Sequence, residues 1–332
     1  MRAQVLRKPG PVESSPLLME EVEPPTPGRL EVRIKVLACG ICLTDKHIIE
    51  GEIPLIKSPI IPGHQIVGII DQLGEGVDRA KMGLLVGIPW LHSTCCHCYY
   101  CNMDLENLCD QATFTGYHCN GGYAEYALAR IDYLVELEEN PDPIKVAPLL
   151  CAGVVGYRSY KLSTIKPGQK LGIFGFGSAA SLTIQVATNF DVDVEVYTRS
   201  LEHRKMALAL GATVAEDAMA APGRNLDAAI MFAPSGDLIR VALQSLRKSG
   251  FLAVNAIHTS PIPSMSYDLL YQEKCIKTVT NATREDAREF FDLATSIPIK
   301  STTVSYPLEK ANEALVDLKK SKLCGSAVLS MV

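Results

Sequence analysis

At 332 residues the chain has room for two domains, each with its own core. It is 47% hydrophobic and 21% charged with a formal net charge of −5, so no basic surplus points to nucleic acid and no charge block reads as a tail. No apolar run approaches membrane-spanning length, and Met1–Pro9 lacks the apolar core of a signal peptide, so the expectation is a cytoplasmic enzyme with neither nucleic-acid nor membrane partners.

In chain order, residues 1 to about 148 carry short strand-like runs set off by Pro and Gly. Leu30–Leu37, Gln65–Leu73 and Ala124–Ala129 are examples, with turns at Pro24–Gly28 and Gly74–Gly76. This predicts a β-rich, barrel-like domain rather than a parallel sheet. The chain has eleven cysteines, an odd number in a long chain without an export signal, which favours thiols and metal over disulfides. Cys95, Cys98, Cys101 and Cys109 follow a C-x2-C-x2-C-x7-C spacing. Four thiolates so close in sequence can enclose a tetrahedral zinc ion with no open position, which is a structural site. Cys96 adjoins the first of them, and neighbouring residues do not easily reach one tetrahedral ion, so it is read as a bystander. A second set is dispersed: Cys39 and Cys42, then His64, then Cys151. From spacing alone Cys39 and Cys42 are a redox pair or a metal knuckle, and each His is a ligand, a core residue or a surface residue.

From about residue 152 to 282 strands alternate with helices, which is the doubly wound α/β pattern. The strand Leu171–Phe174 turns on Gly175 and Gly177 into a helix whose Ala179, Leu182, Val186 and Phe190 recur at offsets of three, four and four, predicting one buried face. Gly175 permits the tight turn, Gly177 lets backbone N–H groups approach a diphosphate, and small Ala180 lets helix pack on strand. A second strand at Asp193–Thr198, a helix, and Gly211-Ala212-Thr213 leading into a third strand continue the series, with further strands at Leu226–Phe232 and Gly250–Ile257. A dinucleotide is expected here. The tail has helices at Arg284–Thr295 and Leu308–Lys320, the second with Ala311, Ala314, Leu315 and Leu318 on one face, then a strand at Ser326–Met331. Since the nucleotide fold is already full, the tail is expected to complete the first domain. The expected division is therefore a first domain over 1–151 with a four-cysteine loop at 90–112, a dinucleotide-binding domain over 152–282, and a return over 283–332.

Taken together, Gly40-Ile41-Cys42-Leu43-Thr44-Asp45-Lys46-His47, Gly63-His64, the four-cysteine loop, Thr115-Gly116-Tyr117, Gly121 to Tyr126, Leu150-Cys151-Ala152-Gly153 and the Gly175 turn resemble a zinc-dependent medium-chain alcohol dehydrogenase over nearly the whole length. The resemblance implies a Rossmann domain plus a GroES-like catalytic domain, and interconversion of alcohols, small primary ones first, with aldehydes by hydride transfer with a nicotinamide cofactor. It implies Cys42, His64 and Cys151 as catalytic zinc ligands, leaving Cys39 as a buried neighbour, and a second, structural zinc in the four-cysteine loop. Two Cys and one His with an open fourth position suit a Lewis-acid zinc. By the same resemblance Thr44 and His47 relay the proton, Asp45 orients the ligand imidazole, and Trp90 walls the alcohol pocket. The resemblance also implies a homodimer or homotetramer, the usual assemblies of the family. A polyol or other secondary-alcohol dehydrogenase of the same superfamily, and a non-catalytic cofactor-binding protein on the same fold, are the competing readings.

Two positions depart from the family pattern. Gln65 stands where many relatives carry Glu after the ligand histidine, and Ser326 stands where many carry Arg in the closing motif. Losing both leaves neither charge without its partner. For the cofactor, the family's acidic position at the end of the second strand falls on Thr198, followed by Arg199, with Ser200, His203 and Arg204 in the next turn. A neutral residue beside guanidinium groups favours NADP(H) over NAD(H). Gly175, Gly177, Ser178 and Ala180 complete the expected cofactor site.

Overall fold

The computed structural model describes residues 1–137, 141–323 and 325–331, so Cys324 lies outside the described residues. The chain divides into two compact units: Met1–Cys151 with Asn281–Phe291 and Lys300–Val332, and Ala152–Thr280 with Asp292–Ile299.

The first unit is built on the strand Glu31–Ile41. Its first half alternates, with Val32, Ile34 and Val36 buried and Glu31, Arg33 and Lys35 turned outward, as a half-covered strand requires. From Ala38 onward mostly small residues lie within the core. This strand pairs antiparallel with Gln65–Leu73 on one side and with Ser326–Ser330 and Tyr126–Arg130 on the other. Leu85–Ile88, Val135–Glu136 and Thr303–Pro307 extend the sheet to seven strands. The core between them gathers Ile34, Ile66, Ile70, Ile88, Tyr123 and Leu329. The tail strand Ser326–Ser330 and the helix Ala311–Lys319 pack into this core, through Ala311, Ala314 and Leu315.

The second unit is a six-stranded parallel sheet in the order Val214–Glu216, Asp193–Tyr197, Lys170–Phe174, Leu226–Met231, Leu246–Val254, Cys275–Thr278. Its central strands are covered on both faces, so they read as continuous buried runs, Leu171 to Phe174, Val194 to Tyr197 and Ala228 to Met231, apolar apart from Glu195. The helix Ser178–Asn189 crosses over from the strand Lys170–Phe174. Its buried stripe is wider than the spacing suggests, taking in Ala180, Leu182, Thr183, Ile184, Val186 and Ala187. Phe190 is a correction to the expected face: it caps the helix instead of continuing it, is 38% exposed, and stacks on Tyr160. Among the described residues no helix is long and apolar enough to cross a membrane.

Candidate metal centres and dinucleotide site

In the first unit, the strand Glu31–Ile41 runs directly into Cys42, the extended N-cap of the helix Leu43–Glu50. The Cys42 sulfur accepts the Thr44 N–H at 3.3 Å, and the Asp45 carboxylate accepts the Cys42 N–H at 2.9 Å. A helix N-terminus with unpaired donors thus fixes both a thiol and a carboxylate. The other Asp45 oxygen accepts from His64 Nδ1 at 3.0 Å, with both side chains 1% exposed. That bond leaves Nε2 as the donor atom, 3.5 Å from Cys42 Sγ. His64 reaches this place because Gly63 precedes it at φ +96°, where a Cβ would stand 2.3 Å from the Tyr123 ring and 2.8 Å from Cys39 Sγ. Cys151 closes the group, its sulfur within 4.8 Å of the other two donor atoms.

Hydrogen bonding from Cys151, ahead of the opposing effect of burial, holds the Cys42 thiol well below the ordinary range. Cys151 is pushed well up by giving that bond and by burial. Burial alone would lower His64, but Asp45 and Cys42 outweigh it and hold the imidazole well up. Burial likewise raises Asp45, against the pull of His64. The donor set fits zinc: bonds of about 2.3 Å to sulfur and about 2.0 Å to nitrogen give a tetrahedral S···N edge of about 3.5 Å. Cys39 stays outside this group. Its thiol is fully buried, leans on the Gly40 carbonyl at 3.6 Å and is raised by desolvation.

The four-cysteine loop brings its sulfurs together as well. Cys95 to Cys101 is 3.9 Å, Cys98 to Cys101 3.6 Å and Cys95 to Cys109 3.6 Å. A tetrahedral zinc with bonds of about 2.3 Å to sulfur has an edge of about 3.8 Å, whereas a disulfide needs about 2.05 Å. Every described cysteine is a free thiol. Backbone N–H groups of Cys98, Cys95 and Gln111 point at the sulfurs at 3.3–3.5 Å, and such donors, that of His97 foremost, bring Cys95 down to about 6. Cys96 is exposed, at φ +61°, and not among the four.

Around the three-donor site, Thr44 is buried and His47 lies one turn on, along the same helix face. His47 Nδ1 bonds Glu52, a residue that sequence reading did not single out. The signal for it was Gly51, whose φ of +79° ends the helix and turns Glu52 back toward it. Lys46 bonds the same carboxylate at 2.6 Å. The Trp90 ring lies 5.7 Å from that of His64 and 4.6 Å from that of Phe114. Gln65 pairs with Gly40, and Gly40 pairs on its other side with Val328, so Gln65 and Ser326 lie on the two strands flanking it. Both are buried, and a Cβ on Gly40 would meet Gln65 Oε1 at 2.5 Å.

In the second unit, Gly175 has φ +85° and a Cβ there would lie 2.8 Å from the Ala233 nitrogen. Gly177 has open space where its Cβ would be, at the N-terminus of the twelve-residue helix that begins at Ser178. Such an opening at a helix start fits a diphosphate. Ala180 is fully buried behind it. Thr198 follows the second strand, and its carbonyl accepts from Arg204 Nε at 2.7 Å. Arg204 also bridges to Asp217 at 3.2 Å. Ser200 caps the next helix by accepting the His203 N–H, while Arg199 is exposed. Asp193 and Glu195 are spent elsewhere: Asp193 on Thr213, Glu195 buried against Tyr197.

Residues 28–139 match the alcohol dehydrogenase GroES-like domain. Over 335 aligned residues the chain is 43% identical to a probable alcohol dehydrogenase, AdhA, of Mycobacterium tuberculosis, covering 99% of this chain and 97% of that one. This chain belongs to the zinc-dependent medium-chain alcohol dehydrogenase family. As an alcohol dehydrogenase it is an enzyme, an oxidoreductase. Its fold matches a cinnamyl alcohol dehydrogenase of Sorghum bicolor with a TM-score of 0.89 at 27% identity, covering 99% and 97% of the two chains. It also matches a Helicobacter pylori CAD solved in complex with NADP(H), with a TM-score of 0.87 at 25% identity, covering 100% and 99%.

Proposed function

We propose that this alcohol dehydrogenase interconverts small primary alcohols and their aldehydes, using two zinc ions per chain and NADP(H). The observation that carries the reading is the convergence of Cys42, His64 and Cys151, with Asp45 orienting the imidazole. In this reading the first unit is catalytic and the second holds the dinucleotide. Cys95, Cys98, Cys101 and Cys109 hold the closed, structural ion. When bound, the zinc at the three-donor site supplies Lewis-acid polarisation of the substrate oxygen, and the nicotinamide supplies or accepts the hydride.

The chain's own residues manage protons and position. The Thr44 hydroxyl, buried at the first turn beyond Cys42, takes up the alcohol proton and passes it on toward His47. Because an ionised carboxylate only accepts, Glu52 requires the proton on His47 Nδ1 and leaves Nε2 as the basic nitrogen. Glu52 stays ionised because Lys46, then His47, hold it below the ordinary carboxylate range. Trp90 and Phe114 supply an apolar wall beside His64. The same reading makes the enzyme a cytoplasmic homodimer or homotetramer.

For the cofactor, neutral Thr198 and exposed Arg199 support NADP(H), with Ser200, His203 and Arg204 beside them. The engagement of Arg204 with Asp217 favours the second reading, NAD(H), because that guanidinium is then shared with a carboxylate. Metal analysis with a panel of primary, secondary and polyhydric alcohols, assayed in both directions with each cofactor, tests the whole assignment. We expect two zinc ions per chain, primary alcohols first and a higher kcat/KM with NADP(H). Thr198→Asp with Arg199→Ala should move the cofactor ratio toward NAD(H). An NAD(H) preference in the wild type refutes the cofactor reading, and an unchanged ratio in the double variant refutes its mechanism.

A further inference from the structure

We propose that a frame outside the four-cysteine loop, formed by Tyr133 and Arg284 gripping Thr94 and Glu106, sets how long that loop retains its metal. This rests on the reading of the loop as a zinc site. The loop has little regular structure of its own: a short ribbon of Leu91–Ser93 on Thr113–Phe114, the four-residue helix Tyr99–Asn102, and the turn Glu106–Leu108. Two anchors, one buried and one partly buried, hold it from outside.

The first anchor is Tyr133, at the end of the turn after the strand Tyr126–Arg130. Its phenol oxygen accepts the Thr94 N–H at 2.9 Å and lies 2.8 Å from Thr94 Oγ1. The second is Arg284, at the start of the helix Arg284–Ser296. Its backbone N–H reaches Glu106 Oε1 at 2.8 Å, Nε reaches both carboxylate oxygens at 2.9–3.0 Å, and Nη2 reaches Oε2 at 2.6 Å. Glu106 therefore serves as an ion-pair partner and as the anion at a helix N-terminus, 178 residues from its partner. The two anchors are joined, because the Arg284 guanidinium sits 4.5 Å from the centroid of the Tyr133 ring.

The placement of the gripped residues gives the frame its consequence. Thr94 immediately precedes Cys95, and Glu106 stands three residues before Cys109. Cys95 and Cys109 are themselves in contact, sulfur to sulfur at 3.6 Å and Cys95 N–H to Cys109 Sγ at 3.5 Å. The frame thus fixes the spacing of the two ligands at the loop's ends. Cys98 and Cys101 belong to the short helix, which faces solvent through Tyr99, 71% exposed, and Met103. With one pair of ligands held in place, a ligand from the other pair that lets go returns to a preserved half-site, so metal is retained. Removing one member of this partly buried ion pair leaves its partner uncompensated and releases the end pair.

The test uses the holoenzyme and its Glu106→Gln, Arg284→Met and Tyr133→Phe variants. Zinc release is followed with an excess of a chromophoric chelator, and Cys98→Ser identifies the phase that belongs to the loop. We expect the loop phase to quicken roughly tenfold or more in Glu106→Gln and Arg284→Met, and less in Tyr133→Phe, while the three-donor phase and kcat before chelation stay at wild-type values. Wild-type loop rates in all three variants would overturn the proposal. So would equal acceleration of both phases with a matching fall in melting temperature, which marks general destabilisation. Amide exchange over residues 94–109 reads the frame without reference to metal: faster exchange in Glu106→Gln supports it, and unchanged exchange overturns it. A wild-type enzyme carrying a single zinc, unaltered by Cys98→Ser, overturns the reading of the loop as a zinc site instead.

Discussion

The two candidate metal centres of the first unit both offer cysteine sulfurs, four in one and two beside a histidine in the other, and they differ most in how they are assembled. The four-cysteine site draws its donors from a span of fifteen residues, Cys95 to Cys109, and backbone N–H groups of the same span point at the sulfurs. The three-donor site draws on Cys42, His64 and Cys151, which come from three separate parts of the chain and meet only when the sheet of the first unit forms. Its supporting groups are a buried carboxylate, Asp45, on His64 and the Thr44 N–H on Cys42. A closed site made locally is suited to hold a loop together. A dispersed site with three donors has a position open for substrate and leaves the scaffold less dependent on the ion.

The largest effect that would break this contrast is at Cys42. Cys42→Ser should take turnover below detection while the melting temperature stays close to that of wild type. An active variant would remove the three-donor site from the chemistry. Cys98→Ser should do the converse, lowering thermal stability and yield, because the free energy of metal binding at a closed site is also folding free energy. If its melting curve overlays that of the wild type, the four-cysteine site has no structural role.

Gln65 sharpens the comparison from the side of charge. Gln65→Glu places a carboxylate in a buried position without a cation opposite, at a cost on the order of 3–5 kcal/mol, and the variant should lose activity or stability. Adding Ser326→Arg should restore part of it. Additive effects in that double-mutant cycle would show the two positions to be independent.

A smaller effect is expected at Glu50, which ties the helix carrying Thr44, Asp45 and His47 to Lys319 and to the Val12 N–H. Burial opposes its charge, but Lys319, Lys46 and Val12 outweigh that and bring it down to about 2. With its folded value depressed, its contribution is present above about pH 4.5 and fades as pH falls toward 2. It amounts to about 3 kcal/mol as an order of magnitude. Glu50→Gln should therefore flatten the loss of stability between about pH 4.5 and 2 in denaturant titrations. An unchanged acid profile would show that the ion pairs around Glu50 contribute nothing.

What the sequence determined by itself is what lies within one short span. The C-x2-C-x2-C-x7-C spacing, the strand that turns on Gly175 and Gly177 into a helix, and the alternation of strands with helices each involve neighbours, so geometry follows from spacing. Only the tertiary structure brought Cys42, His64 and Cys151 within reach while leaving Cys39 outside, because spacing along the chain carries no information about which distant segments pair. The resemblance to a family implied that ligand set, but the residues alone left it open. Glu52 was missed because a turn at Gly51, not helical periodicity, brings it back to His47. Phe190 misled because a helical repeat continues past the residue where the helix stops. Arg284 and Glu106 read as unremarkable charges until the fold brings together positions 178 apart in the chain, since a partly buried ion pair is a property of two distant segments and of the solvent their meeting excludes.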